Sequence, residues 1–172
     1  MPKLSIQSCG NKVENTIVHS LTRRNLTLAT AESCTGGFIA NRITNVPGAS
    51  KIFLGGVVAY SNGVKRKFLG VRPETLSSHG AVSAAVAREM AAGARKKFGA
   101  DFAIAVTGIA GPSGGTKTKP VGTVFIALAG AFGTVVERRL NCLGREKFKE
   151  VTAGQALAML HSRLLRMAAV CS

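Results

Sequence analysis

A single α/β domain, built as a three-layer α/β/α sandwich around a mixed β-sheet, is the fold that this sequence predicts. Three observations predict it. Segments with apolar residues at helical spacing alternate along the chain with short apolar runs bounded by turn residues, the pattern of helices laid on a sheet. One pair of runs, Gly122 to Leu128 and Thr134 to Leu140, is separated by only a few residues and reads as an antiparallel hairpin in an otherwise parallel arrangement. The 172 residues, 46% of them hydrophobic, suffice for one sizeable core and not for two ordinary domains.

Residues 1–10 read as an N-terminal tail, and the domain is expected to occupy 11–172. Asn11 to Asn25 places Val13, Ile17 and Leu21 at i, i+4 and i+8, which predicts a surface helix. A strand follows at Leu26, then a helix from about Gly36 to Thr44, before Pro47-Gly48-Ala49-Ser50 breaks the chain. Phe53 to Tyr60 is apolar and β-branched and is expected as a buried strand. Ser61-Asn62 are placed to cap a short helix that carries Lys65 and stops at Gly70. Ser83 to Phe98 is an alanine-rich helix able to pack closely. Asp101 to Thr107 predicts another buried strand, Gly108 to Pro120 a long glycine-rich loop, and the hairpin comes next. The last helix starts near Arg145 and shows Phe148, Val151, Leu157, Leu160, Leu164 and Met167 at helical spacing. There is no internal repeat and no linker.

Lys and Arg number 23 against 8 Asp and Glu, a net charge of +15 that favours an anionic substrate or partner. Nucleic acid is such a partner but not the favoured one. The basic residues fall in short scattered groups such as Lys65-Arg66-Lys67 and Arg95-Lys96-Lys97, and Tyr60 with the eight Phe forms no stacking platform along a basic groove. Cys9, Cys34, Cys142 and Cys171 make no C-x-x-C pair and the three histidines lie far apart, so no metal site is expected, and no cofactor. Without a secretory leader the chain is expected in a reducing cytoplasm with free thiols. The longest uncharged stretch, Pro120 to Val136, is interrupted by Gly122, Gly130 and Gly133 and falls short of the roughly 20 apolar residues a membrane span needs. Small, apolar helix faces make a homodimer or a higher homo-oligomer the expected state.

The densest chemical motif is Thr30-Ala-Glu-Ser-Cys-Thr-Gly-Gly37, which sets hydroxyls, a thiol, a carboxylate and two glycines directly after the apolar run Leu26 to Ala29. A strand that feeds a helix N-terminus there offers backbone N–H groups to an anion or a developing oxyanion. Taken alone, the motif is either an active-site turn or a helix start capped by Ser33 or Thr35. Gly111-Pro-Ser-Gly-Gly-Thr-Lys-Thr118 resembles the phosphate loop G-x-x-x-x-G-K-[ST] but carries Thr116 in place of the second glycine. It also runs on through Lys119-Pro120 into a strand where such a loop would open a helix, so it fails the pattern. Its backbone can still serve a substrate phosphate, or it is a plain surface loop.

Several segments together resemble one family. Ala31-Glu-Ser-Cys-Thr-Gly-Gly37, Pro47-Gly-Ala-Ser50, Gly56-Val-Val-Ala-Tyr-Ser-Asn62 with Lys65, Leu69-Gly-Val71, His79-Gly-Ala-Val-Ser83 and Thr107-Gly-Ile-Ala-Gly-Pro112 with Lys119-Pro-Val-Gly-Thr123 are similar to the CinA C-terminal domain, over about residues 11–167. The resemblance implies a nicotinamide-nucleotide amidase, which hydrolyses the carboxamide of nicotinamide mononucleotide to nicotinate mononucleotide and ammonia in pyridine-nucleotide salvage. Larger members carry an added N-terminal nucleotide-hydrolase domain, and this chain resembles the stand-alone form. The family's closing Gly-Asp-Arg motif stands here as Leu143-Gly-Arg145, a departure that touches the role of Arg145. The other reading of the chain is a non-enzymatic basic module for nucleic acid or a protein partner in competence or DNA-damage response, supported by the charge alone.

Amide hydrolysis needs a nucleophile, a base, donors for the tetrahedral oxyanion and a proton for the departing ammonia. His79 sits beside Gly80 in a turn, while His19 and His161 fall in surface-helix patterns, so a Ser-His-Asp arrangement has poor support and lysine is the remaining base. The family resemblance implies a serine–lysine dyad. The matching positions are Ser50 and Lys65, with Tyr60 between them and Ser33 as a second hydroxyl, Ser50 being ranked above Ser33 as nucleophile. A lysine base must be neutral, its pKa lowered from about 10.4 toward roughly 7 to 8. The apolar run Phe53 to Tyr60 can desolvate Lys65, and Arg66 and Lys67 add like charge. Thr35 and Gly36 in the first motif, Thr107 and Gly108 at a strand end, Gly111 in the loop and Arg145 are the expected substrate-binding residues, Arg145 through bidentate pairing with phosphate. Glu32 either orients Lys65, touches ribose or caps the helix. Cys34 is the competing nucleophile, without a histidine to pair with.

Overall fold

Alanine alternates with larger residues along the central strands, and this alternation decides how the helical layers sit. The computed structural model describes residues 13–169, so the expected tail at 1–10, Cys9 and Cys171 lie outside the described residues. In chain order the elements are α1 (Val13–Arg23), β1 (Leu28–Glu32), α2 (Phe38–Thr44), a 3-10 turn (Ala49–Lys51), β2 (Phe53–Val58), α3 (Asn62–Leu69), α4 (Pro73–His79), α5 (Ala84–Phe98), β3 (Phe102–Gly108), β4 (Thr123–Gly130), β5 (Gly133–Leu140) and α6 (Arg145–Ala169). The five strands form one sheet in the order β2-β1-β3-β4-β5. β1 pairs in parallel with β2 and β3, whereas β4 and β5 pair antiparallel with β3 and with each other, which makes the sheet mixed.

Because successive side chains of a strand point to opposite faces, the sequences Leu-Ala-Thr-Ala and Phe-Ala-Ile-Ala sort themselves into two different surfaces. Leu28, Ile104, Val106, Val124, Ile126 and Leu128 face α1, α2 and α6, where Ile17, Leu21, Ile39, Phe148, Leu157 and Leu160 complete the larger core. Ala29, Ala31, Ala103, Ala105, Ala127 and Ala129 face α5, whose own contacts are Val86, Ala87, Met90, Ala91 and Ala94. Methyl against methyl lets α5 lie close to the sheet. It is crossed by α3 just as closely: a Cβ added at Gly93 would stand 1.8 Å from the Leu69 carbonyl oxygen. Glycine at 93 therefore fixes the height of α3, the helix that carries Lys65.

One expectation is corrected, and one helix stands beyond the expected elements. Phe53 to Tyr60 is not a fully buried strand, because β2 lies at the sheet edge and exposes every second residue, Leu54 at 45% and Val58 at 50%. Helix α4 was not anticipated, although Pro73 at its first turn and Glu74 after it are a legible start signal.

Candidate active site

The C-terminal ends of parallel strands are where an open α/β sheet leaves a crevice. Ser33 follows β1 there, Tyr60 lies just past β2, and Thr107 and Gly108 close β3. The turn 33–37 is built by Glu32, which is 1% exposed. Its Oε2 accepts hydrogen bonds from Thr35 Oγ1 at 2.6 Å and from the N–H groups of Gly37 and Ile39, both at 3.0 Å, and its Oε1 accepts from Ala40 N–H at 2.8 Å. A carboxylate thus satisfies the orphan donors at the start of α2, which leaves Ser33 Oγ uncommitted to capping. Gly36 and Gly37 take φ of +64° and +96°, the left-handed backbone this reversal requires. Ser33 N–H donates to the Val106 carbonyl at 3.1 Å and pins the residue to β3.

Lys65 is 2% exposed. Ser61 caps its helix by accepting from Val64 N–H at 3.2 Å, and Gly70 ends it. Three acceptors take the Lys65 Nζ hydrogens: the Ala59 carbonyl at 2.8 Å, Ser33 Oγ at 3.2 Å and the Tyr60 carbonyl at 3.3 Å. Burial holds the ammonium below the ordinary lysine pKa, and negative charge at Cys34 is the opposing influence. That opposition is weak at neutral pH, because burial pushes the Cys34 thiol up to about 12 and keeps it uncharged. The same protonated state disfavours Cys34 as a nucleophile.

Beside Ser33 and Lys65 lies a cavity of about 310 Å³. Thr107 and Gly108 form one wall, with Thr107 Oγ1 donating to the Ala81 carbonyl at 2.8 Å. The loop 109–122 forms the roof, contains no helix and runs straight into β4. Arg145, the first residue of α6, ties the rim together: one terminal N–H donates to the Gly111 carbonyl at 2.9 Å and the other to the Tyr60 hydroxyl at 2.7 Å. Ala110 and Gly111 are buried, yet among the described residues their backbone N–H groups meet no protein acceptor. Both residues line the cavity, so these N–H groups are open to a ligand or water there.

The structure brings together Ser33, Tyr60, Lys65, Thr107, Gly108, Gly111 and Arg145. It does not bring Ser50 to Lys65. Ser50 is exposed in the 3-10 turn before β2, whereas Lys65 lies beyond the end of that strand. The six residues of β2 separate them by roughly 20 Å at about 3.3 Å per residue. Thr35 and Gly36 are also off the cavity: Thr35 is fully buried with its hydroxyl committed to Glu32, and Gly36 faces Lys149 on the outer side of the turn. Glu32 caps the helix: all four hydrogen bonds to its carboxylate come from the turn and the start of α2. Asn62, Val82, Ile109 and Ser113 also line the cavity; none is among the expected site residues, although Asn62, Val82 and Ile109 stand in the motifs that carry the family resemblance and Ser113 in the glycine-rich loop. Among the described residues there is no group of His, Cys, Asp or Glu that could hold a metal ion, and no helix long and apolar enough to cross a membrane.

Residues 10–164 match the family described as CinA C-terminal domain. The chain is 51% identical over 154 residues to a CinA-like protein of Geotalea uraniireducens, covering 89% of this chain and 37% of that protein. With the CinA-like protein of Geobacter sulfurreducens it shares 50% identity over 155 residues, 90% of this chain and 38% of the relative. It thus spans about two-fifths of the length of these curated relatives. Among solved structures it is similar to the competence/damage inducible protein CihA of Agrobacterium tumefaciens, with a TM-score of 0.85 and 41% identity over 91% of this chain and 98% of that one. A CinA superfamily protein of Klebsiella pneumoniae superimposes with a TM-score of 0.86 at 36% identity, over 90% and 96% of the two chains.

Proposed function

The chain belongs to the CinA C-terminal domain family, and on that premise we propose that it hydrolyses the carboxamide of nicotinamide mononucleotide to nicotinate mononucleotide and ammonia, with Ser33 as nucleophile and Lys65 as its base. One observation carries the reading: a buried lysine with a lowered pKa within hydrogen-bond reach of a serine hydroxyl, at the mouth of a cavity rimmed by an arginine. Neutral Lys65 takes the Ser33 proton as Oγ attacks the carboxamide carbon, and the resulting ammonium gives that proton to the leaving nitrogen. Ammonia departs and a nicotinoyl ester remains on Ser33. Water, deprotonated by Lys65, then attacks the ester carbon, and the proton returns to Ser33 as the carboxylate leaves.

The cationic pyridinium of the substrate fits this scheme, because it makes the carboxamide carbon more electrophilic and disfavours a second positive charge at Lys65. The phosphate is assigned to Arg145 and the N–H groups of Ala110 and Gly111. A guanidinium carries five N–H donors, so Arg145 can keep Tyr60 and Gly111 while it donates to a phosphate. Tyr60, 61% exposed, then acts as a movable flap held by Arg145, and Thr107 and Gly108 flank the ring.

The test is incubation with nicotinamide mononucleotide and measurement of ammonia and nicotinate mononucleotide, for the wild type and for Ser33→Ala and Ser50→Ala. The expected result is activity in the wild type and in Ser50→Ala and its loss in Ser33→Ala. No ammonia from the wild type would refute the reaction, and loss confined to Ser50→Ala would refute the assignment of the nucleophile. The basic-module reading draws on one surface feature, the exposed Phe68 with Lys67 and Lys97 at 5.8 and 5.7 Å from its ring centre, and it leaves the Ser33–Lys65 pair without a purpose.

A further inference from the structure

A second departure from close packing lies away from the Ser33 cavity, between β5 and the second half of α6. On its other face β5 is covered by α5, but on this face α6 packs chiefly against β3 and β4. The space between is a cavity of about 460 Å³. Its shape follows from two periodicities. Val135, Glu137 and Arg139 alternate onto the α6 side of β5, and Gln155, Met159, Ser162, Arg163 and Arg166 recur at helical spacing on the facing stripe of α6. A stripe in that position ordinarily carries apolar side chains that fill the gap. Here it carries guanidinium groups.

Three guanidinium groups, from Arg139, Arg163 and Arg166, line the cavity against one carboxylate, Glu137, which already holds Arg139. Arg163 stacks its guanidinium 3.9 Å from the centre of the Phe132 ring, and its Nε is enclosed without a hydrogen-bond partner among the described residues. A buried unpaired donor on a cation is costly unless something accepts from it. Leu128, Phe132 and Met159 supply an apolar floor beneath these charges. A second copy of this chain does not suit the face, since it would bring three more guanidinium groups to it.

We infer that this cavity is a second binding site, for a small aromatic anion: a ring carrying a carboxylate or a phosphate monoester. The ring lies on the Phe132–Met159 floor beside the stacked Arg163, and the anionic group is held by Arg163 with Arg139 and Arg166, in the planar geometry guanidinium offers such groups. The volume lies within the range of small-molecule pockets, about 300 to 1,000 Å³. The site shares no lining residue with the Ser33 cavity and stands independently of the amidase reading.

The test is methyl NMR on the full chain with labelled methionine, Met159 being assigned by Met159→Leu. Adenosine 5′-monophosphate, benzoate and inorganic phosphate are titrated in turn. The Met159 signal reports this cavity alone, because Met159 does not line the Ser33 cavity. Saturable shifts are expected with the nucleotide or with benzoate, and which of the two binds more tightly tells a phosphate ester from a carboxylate. Arg139→Gln combined with Arg166→Gln, two exposed positions, should weaken binding at least tenfold, and Arg163→Lys should weaken it severalfold while keeping the charge. A Met159 signal unmoved by either aromatic anion overturns the inference. So does binding that the double variant leaves unweakened, or binding of inorganic phosphate as tight as that of the nucleotide.

Discussion

Replacing Lys65 by methionine separates base chemistry from binding. Methionine matches the length and apolar stem of lysine, so the space beneath α3 stays filled, while the donors to Ser33 Oγ and to the Ala59 and Tyr60 carbonyls are lost. General base catalysis typically contributes about 10² to 10⁴, so kcat should fall by at least about 100-fold, or roughly 2.7 kcal/mol in the barrier. On the proposed reading KM should change little, because Lys65 reaches Ser33 Oγ and not the Arg145 rim assigned to the phosphate. The pH dependence has a definite sign. A lysine whose folded pKa lies below its unfolded value near 10.4 binds fewer protons when folded, so its burial penalises the fold most at low pH and is relieved as pH rises through that window. The wild-type rate should therefore rise with pH as the neutral amine appears, and the melting temperature of the wild type should gain on that of Lys65→Met over the same interval. Ammonia release from pH 6 to 10 and thermal melts in matched buffers measure both. A Lys65→Met enzyme within about fivefold of the wild type, or a flat rate profile with chemistry rate-limiting, would refute Lys65 as the base.

Glu32→Ala removes the acceptor for four donors at the start of α2; the expected loss is about 1 to 3 kcal/mol of stability by denaturant melt together with most of the activity, and an active, equally stable variant would show the turn at Ser33 to be self-supporting. Arg145→Ala should raise KM for nicotinamide mononucleotide at least tenfold while leaving the poorer rate on nicotinamide riboside nearly unchanged, and an equal effect on both substrates would remove its phosphate role. Gly93→Ala must lift α3 away from α5 and carry Lys65 with it, so stability and kcat should fall together; a neutral outcome would mean that Lys65 does not depend on that crossing. Cys34→Ala should retain activity, since the thiol is protonated at working pH, and inactivation would reopen Cys34 as the nucleophile.

The elements were legible where a face was buried. Ile17 and Leu21 on α1, and Phe148, Leu157, Leu160 and Leu164 on α6, all at 0 to 1% exposure, are the residues whose spacing predicts those helices. The edge position of β2 was not legible, because an apolar run looks the same at the centre of a sheet and at its margin. The same limit governs the site. Lys65 and Ser33 lie on different elements and meet only through the register of β1 with its neighbours, so two serines in comparable motifs could not be ranked by spacing. What separates Ser33 from Ser50 is that one follows a parallel strand and the other precedes one. Thr35 and Gly36 share a motif with Ser33, but the reversal of the chain after residue 33 turns them away from the cavity.

The alanine-lined side of the sheet bears on how this domain can change. Added volume there has no slack to enter, since α5 already rests on methyl groups and crosses backbone to backbone with α3 at Gly93. The opposite side is filled by Ile, Leu, Val and Phe, which can exchange size with one another when the total is kept. Substitutions that drift through α1, α2 and the middle of α6 will be absorbed as compensating pairs. Those on α5 will act as single blows, felt at Lys65 through the helix that rides on it.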